Sequence, residues 1–247
     1  MQLKVFIDLD SPLILPINYN HILQGIIYTA ANTSNGKFTR NLHDEGVSSD
    51  SNDKFKLFCF SKIIGHYLIV DNQIHFDKSI FFEIRSVDPY FIHLVYESFS
   101  NYGICFKNRV FKPRLKLENK IITDSRIYVQ MLSPIVAIGK TDDNQTKYLS
   151  PRDLEFISYL CNNFSKKYQT YYHNLPSSDL DFVVSEVSFR DKCVTKFKGI
   201  LVNAWNCRLY IQGSPEYLTF IYNVGLGSKN SQGFGMINVI EEVKIHP

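Results

Sequence analysis

The order in which two hydrophobic periods alternate along the chain narrows the fold most. Leu3, Val5, Ile7 and Leu9 alternate with Gln2, Lys4, Phe6 and Asp8, the period of two expected of a strand with one buried face. Over residues 19–31 the period changes. Leu23, Ile26, Ile27 and Ala30 recur at spacings of three and four, while His21, Gln24, Gly25 and Tyr28 form another stripe, which predicts an amphipathic helix. A Ser/Asp-rich loop over residues 44–54 precedes two apolar, aromatic runs, 55–64 and 74–84, that read as strands with a turn at Asp71-Asn72. Asp88 then offers a helix N-cap, Pro89 suits the first helical position, and Gly103 supplies a stop. A strand over residues 109–117 completes the order βαββαβ.

The second half repeats that order without obvious sequence identity. It starts with a strand near 127–138 and a helix opened by Ser150-Pro151, with Asp153 at the capping-box position. The expected core stripe of this helix is Leu154, Ile157, Cys161, Phe164 and Tyr168. Strands near 180–189 and 193–212 follow, the latter with a break at 202–204; Ser214-Pro215 opens a short helix, and 236–245 is the last strand. The fold class is therefore α+β, with tandem ferredoxin-like (RRM-like) βαββαβ domains over residues 1–120 and 125–247. A chain of 247 residues has the length for two such units.

Composition bounds the setting more than the function. With 45% hydrophobic and 21% charged residues the chain is globular rather than disordered. A net charge of +3 is too small to announce a nucleic-acid partner by itself. Cys59, Cys105, Cys161, Cys193 and Cys207 are odd in number and form no Cys-x-x-Cys pair, which fits a reducing compartment. The N-terminus interrupts its apolar residues with Lys4, Asp8 and Asp10, and no segment approaches about 18 apolar residues in a row. We expect a cytoplasmic protein with no membrane partner. Seven scattered histidines offer no metal-ligand spacing backed by carboxylates, so neither a metal nor another cofactor is expected.

Two local features carry chemistry. Four of the twelve glycines, Gly225, Gly227, Gly233 and Gly235, fall within eleven residues around Lys229, Asn230 and Ser231. Paired glycines let a backbone turn through positive φ and approach a ligand closely, and the three polar residues are donors suited to phosphate; a plain helix-to-strand connection is the simpler alternative. A dinucleotide fingerprint is excluded, because that motif needs a strand before it and a helix after it, and here the order is reversed. The second feature is a run of six cations against one carboxylate over residues 107–120, in which Lys112, Arg114 and Lys116 share one strand face. Such a row can track a nucleic-acid backbone, or equally protect a sheet edge with Pro113. His43, in the polar stretch Asn41-Leu42-His43-Asp44-Glu45-Gly46, Tyr28 and Lys56 are candidate catalytic groups by residue type, none decisive alone.

Taken together, the strings Pro16-Ile17-Asn18-Tyr19-Asn20-His21-Ile22-Leu23-Gln24-Gly25-Ile26-Ile27-Tyr28, Leu42-His43-Asp44-Glu45-Gly46 and Lys56-Leu57-Phe58-Cys59-Phe60-Ser61, with the C-terminal glycine loop, resemble the CRISPR repeat-cleaving endoribonucleases. These are the sixth Cas protein family, within the glycine-rich-loop RAMP superfamily. The resemblance implies metal-independent cleavage of precursor CRISPR RNA within its repeat, through attack of the RNA's own 2′-hydroxyl. It implies His43 as general acid/base, Tyr28 as the helix tyrosine and Lys56 as the catalytic lysine, with His21 as a reserve candidate. It keeps the glycine loop, Gly225, Gly227, Lys229, Asn230, Ser231, Gly233 and Gly235, as RNA-binding, and with RNA as the partner the charge row Lys112, Arg114 and Lys116 reads as a backbone track. A CRISPR effector complex and a second copy of the chain are the further partners it allows. Superfamily relatives that bind RNA without cutting it define the competing class.

Overall fold

The computed structural model describes residues 1–34, 47–48, 54–141, 143 and 145–242. In chain order the first half contains β1 (Gln2–Asp8), β2 (Leu13–Pro16), α1 (Asn20–Ser34), β3 (Val47–Ser48), β4 (Lys54–Phe55), β5 (Phe58–Phe60), β6 (Ile64–Val70), β7 (Gln73–Ser86), α2 (Pro89–Tyr102), β8 (Ile104–Phe106), β9 (Arg109–Phe111) and β10 (Arg114–Glu118). The second half contains β11 (Arg126–Met131), β12 (Ala137–Lys140), β13 (Thr146–Leu149), α3 (Glu155–Tyr172), β14 (Asp181–Glu186), β15 (Lys192–Phe197), β16 (Ile200–Trp205), β17 (Arg208–Gln212), α4 (Pro215–Val224) and β18 (Ile237–Glu242).

In the first sheet β10, β1 and β7 lie side by side, all antiparallel, and β5 and β6 pair along the other edge of β7. In the second the order is β14-β17-β11-β18. Both orders place the last strand of a βαββαβ unit beside its first and the third strand on that first strand's other side. This is the tandem ferredoxin-like arrangement. Leu3, Val5 and Ile7 of β1 are buried with Leu23 and Ile27 of α1 and Phe91, Val95 and Phe99 of α2 in one core. Each such side chain removed from water contributes roughly 1.5–3 kcal/mol. Ile127, Val129, Leu209 and Ile211 join Phe156, Leu160, Leu218 and Ile221 in a second core.

The alternating residues of β1, Lys4, Phe6 and Asp8, lie on the face turned away from the first core, where Phe6 stacks on Phe81 with ring centroids 4.8 Å apart. Near the end of that face the two halves meet. Arg85 Nη1 donates to Ile237 O at 2.7 Å and the guanidinium lies 3.8 Å from the Tyr222 ring centroid, while its other nitrogens bond Glu83. Leu57, from the first half of the chain, is buried in the second core.

Several elements differ from the sequence expectation. The 109–117 strand is broken into β9 and β10 at Lys112-Pro113, where proline has no N–H to give a ladder. Asp71 and Asn72, both at positive φ, form the expected turn, but the strand before it, β6, is separate from β5 and extends to Val70. In the second half Ser150 N–H donates to Asp153 Oδ2 at 2.8 Å and Asp153 N–H to Ser150 O at 2.9 Å. That local turn consumes the capping residues, and α3 starts at Glu155. The buried stripe rotates accordingly: Leu154 is 97% exposed, while Phe156, Leu160, Asn163, Phe164, Lys167 and Tyr168 are buried. The break expected at 202–204 lies inside β16. The chain turns instead at Lys198-Gly199, both at positive φ, and at Asn206-Cys207.

Candidate active site

The glycine loop leaves α4 through Gly225, whose N–H donates to Ile221 O at 2.8 Å, and folds back on itself where Leu226 N–H donates to Gly235 O at 2.8 Å. It is laced to the segment before β12 by Ser228 N–H to Val136 O at 2.7 Å and Gly235 N–H to Pro134 O at 2.9 Å. The glycine spacing has a steric origin at two positions. At Gly235, φ is +72° and a Cβ would lie 1.9 Å from Leu226 O; at Gly227, φ is +64° and a Cβ would lie 2.3 Å from Val136 O.

Beneath the loop sits Lys167 of α3, 4% exposed. Its Nζ donates to Gly225 O at 3.0 Å, Gly227 O at 2.7 Å and Asn230 Oδ1 at 2.6 Å. Burial pulls the Lys167 pKa down to about 7, against a smaller upward effect from Cys59. Asn230, also buried, donates its Nδ2 to Leu226 O and Phe234 O at 2.9 and 3.1 Å. The side chain expected to face phosphate is therefore committed to the loop's interior.

Helix α1 closes the other side. Asn20, Gln24 and Tyr28 recur every four residues and so share one face. Asn20 Nδ2 donates to Gln232 O at 3.1 Å, and Gln24 Nε2 donates to Ser231 O at 2.7 Å. Burial pushes the Tyr28 pKa well up, and the nearby Ser231 side chain acts in the opposite direction. Tyr28 is thus buried, not the solvated tip of a polar stripe. Its ring meets Phe58 edge-on, and Lys56 Nζ lies 5.2 Å from its centroid, within cation–π range. A cleft of about 360 Å³ results, lined by Gln24, Lys56, Lys167, Ser228, Lys229 and Ser231 among others. Tyr159 of α3 bonds the Ser228 hydroxyl at its rim.

Of the expected catalytic groups, Lys56 lines this cleft, Tyr28 is buried beside it with its ring against Lys56, and His43 lies outside the described residues. His21 is exposed, with Nδ1 2.9 Å from Asn18 O, and does not line the cleft. Lys112, Arg114 and Lys116 are exposed, but Lys112 falls in the break between β9 and β10 and does not share a strand face with the other two as the sequence suggests. Arg114 and Lys116 pair in register with Phe6 and Lys4, on the sheet face opposite the helices, so the basic row and the cleft occupy different sides of the first sheet. Arg114 lies 3.5 Å from Asp8, and Glu118 is 2.6 Å from Lys116 and 2.7 Å from Lys4. The two ammonium groups, Lys116 and then Lys4, hold the Glu118 pKa down to about 2.

Sequence reasoning missed Asn20, Gln24 and Lys167. The first two carried a signal in their four-residue spacing with Tyr28; Lys167 carried one as a cation within the apolar stripe Phe156, Leu160, Phe164, Tyr168.

Residues 117–239 match the family model for CRISPR associated protein Cas6, C-terminal. Over almost the whole chain the sequence is 25% identical to CRISPR-associated endoribonuclease Cas6 1 of Methanocaldococcus jannaschii, covering 98% of this chain and 94% of that one. The chain belongs to the Cas6 family. A Cas6 endoribonuclease of Pyrococcus furiosus is 28% identical over 94% of this chain and 86% of its own length. The Cas6 fold is shared with a solved structure described as an RAMP protein binding different RNA substrates, at TM-score 0.80 and 23% identity over 98% of this chain and all of the other. Among the described residues no helix is long and apolar enough to cross a membrane, and no cluster of three or more His, Cys, Asp or Glu could hold a metal ion.

Proposed function

We propose that this Cas6 chain binds the repeat of precursor CRISPR RNA and cuts it within the repeat, leaving a 2′,3′-cyclic phosphate and a 5′-hydroxyl. The observation that carries the reading is that Lys56, Ser228, Lys229 and Ser231 line one cleft between α1 and the glycine loop, with Tyr28 packed against Lys56 beside it. The 2′-oxygen forms a bond to the adjacent phosphorus as the P–O5′ bond breaks, so one proton must leave the 2′-hydroxyl and one must reach the departing 5′-oxygen. His43 serves that exchange, since imidazole titrates near neutrality. Tyr28, its pKa raised by burial, keeps its proton at neutral pH and acts as a donor that orients the phosphate rather than as a base. Lys56 and Lys229 stabilise the charge gathering on the phosphorane oxygens. This division of labour needs no metal.

Gly225, Gly227, Gly233 and Gly235 shape the cradle, Ser231 and Lys229 face RNA, and Asn230 supports them from within. Arg114 and Lys116, on the far side of the first sheet, with Lys112 just before their strand, hold a second stretch of the same RNA strand. The two domains, residues 1–120 and 125–247, contribute one wall of the cleft each. All five cysteines are free thiols, which supports a cytoplasmic setting. A CRISPR effector complex is the proposed recipient of the product, and a second copy of the chain the proposed partner in solution.

Incubating the protein with repeat RNA in EDTA should yield one discrete cut. Replacing the single attacking 2′-hydroxyl by hydrogen should abolish the cut while leaving the gel shift. Cutting of the deoxy substrate would refute the chemistry, and a shift without any cut would make the chain a binder.

A further inference from the structure

The buried lysine beneath the glycine loop has no part in the chemistry above, yet its surroundings are built around it. Three acceptors, the carbonyls of Gly225 and Gly227 and Asn230 Oδ1, converge on Lys167 Nζ at 2.6–3.0 Å. An ammonium has three donors on a flexible stem and satisfies three acceptors from one point, which a planar guanidinium or an amide cannot do in the same volume. All three partners are neutral acceptors, and a neutral amine has only two N–H donors, so the geometry holds Lys167 as the three-donor ammonium against the downward pull of burial on its pKa. The neighbouring Cys59 thiol, which shares this interior, has its pKa pushed up to about 12 by burial and stays neutral.

The two carbonyls are turned inward by the positive φ of Gly225 and Gly227. Asn230 extends the grip, because the oxygen that receives Lys167 belongs to the amide whose nitrogen holds Leu226 O and Phe234 O. One residue further on, Ser231 O accepts from Gln24 Nε2, and the Ser231 side chain lies close enough to Tyr28 to bear on its hydroxyl. A continuous chain of contacts thus runs from Lys167 through Asn230 to the α1 face of the cleft.

We propose that Lys167 is a positioning residue for RNA cleavage, an internal ammonium strut that fixes the glycine loop so that Ser231 and Lys229 meet Tyr28 and Lys56 in reactive geometry. This rests on the proposed nuclease reading and adds a residue that does not touch RNA. Removing the strut frees the loop by about an ångström or more, and misplacement of that size costs about a hundredfold in rate. RNA affinity, supplied largely by exposed cations on the first sheet, changes little.

The test is Lys167→Met in the full chain, with two independent readouts. Hydrogen exchange of the amides over residues 225–235 should accelerate at least about tenfold while the strands of both sheets stay protected. The single-turnover cleavage rate should fall about a hundredfold, with the Kd for 2′-deoxy repeat RNA within about threefold of the parent. In a Tyr28→Phe background the same substitution should cost less than about tenfold, because the strut acts through that contact. Unchanged loop exchange overturns the proposal whether or not the protein cuts RNA. Faster exchange with an unchanged rate, an equal loss in both backgrounds, or a rate loss matched by lost affinity also overturns it. A parent protein that binds but never cuts overturns the nuclease reading and the catalytic role of Lys167 with it, while exchange still decides whether Lys167 anchors the loop.

Discussion

Replacing Gly235 by alanine should cost this protein roughly 2–5 kcal/mol of stability. Two contributions add. At φ +72° an L-residue meets its own carbonyl, a penalty of roughly 1–2 kcal/mol. The new Cβ would also sit 1.9 Å from Leu226 O, an atom that cannot retreat freely because Asn230 Nδ2 holds it at 2.9 Å and the Leu226 N–H is bonded to Gly235 O at 2.8 Å. At least one of those buried bonds must break, and each group left without a partner costs roughly 1–3 kcal/mol. The assay is urea unfolding of the variant beside Gly25→Ala. Gly25 lies in the exposed middle of α1, where a Cβ would meet no atom within 4 Å, so alanine there should stabilise by about 0.5–1 kcal/mol. A Gly235→Ala loss below about 1 kcal/mol, or equal effects at the two positions, would refute the argument that close backbone packing fixes the loop glycines.

Two further outcomes follow from the site and the sheet face. Tyr28→Phe keeps the edge contact with Phe58 and the Lys56 contact but removes the hydroxyl near Ser231, so the cleavage rate should fall about tenfold or more with RNA affinity unchanged; equal loss of affinity would show the hydroxyl serving binding only. Glu118→Gln releases Lys4 and Lys116 from their shared carboxylate and should tighten repeat-RNA binding, whereas neutralising Lys112, Arg114 and Lys116 together should lower the salt slope by about two. Because the folded pKa of Glu118 lies below its unfolded value, its stabilisation is present above about pH 4.5 and is lost as pH falls toward about 2. Acid unfolding curves of the Glu118→Gln variant should lack that component, and identical curves would refute the pairing.

The fold was legible where period and punctuation agreed. Alternation in β1, the Asp88-Pro89 cap and the Ser214-Pro215 start each describe the structure because a local rule and the burial pattern ask for the same thing. Asp88 accepts from Tyr90 N–H at 2.9 Å and Ser214 from Tyr217 N–H at 3.3 Å. Ser150 and Asp153 misled for a local reason as well, since their mutual hydrogen bonds make a turn that ends before the helix begins. At the site, Tyr28 and Lys56 were findable through the family strings, while Lys167 was not. A cation on an apolar stripe reads as a registry error until the loop that supplies its acceptors, some sixty residues away, is folded over it. The glycine spacing was conspicuous in sequence, but its reason, Val136 O crowding Gly227 and Leu226 O crowding Gly235, exists only in three dimensions.

Leu57 has a consequence for how such chains can be rearranged. It is encoded in the first half and buried in the second core, and it sits one residue from Lys56 at the cleft. A graft that exchanged the second half for a relative's would have to refill the pocket for this leucine and also reproduce the backbone oxygens that Asn20 and Gln24 grasp. The two units are therefore not interchangeable modules. Drift in one constrains the other through a handful of seam residues, and recombination at the connecting segment would separate side chains that pack and hydrogen-bond across it.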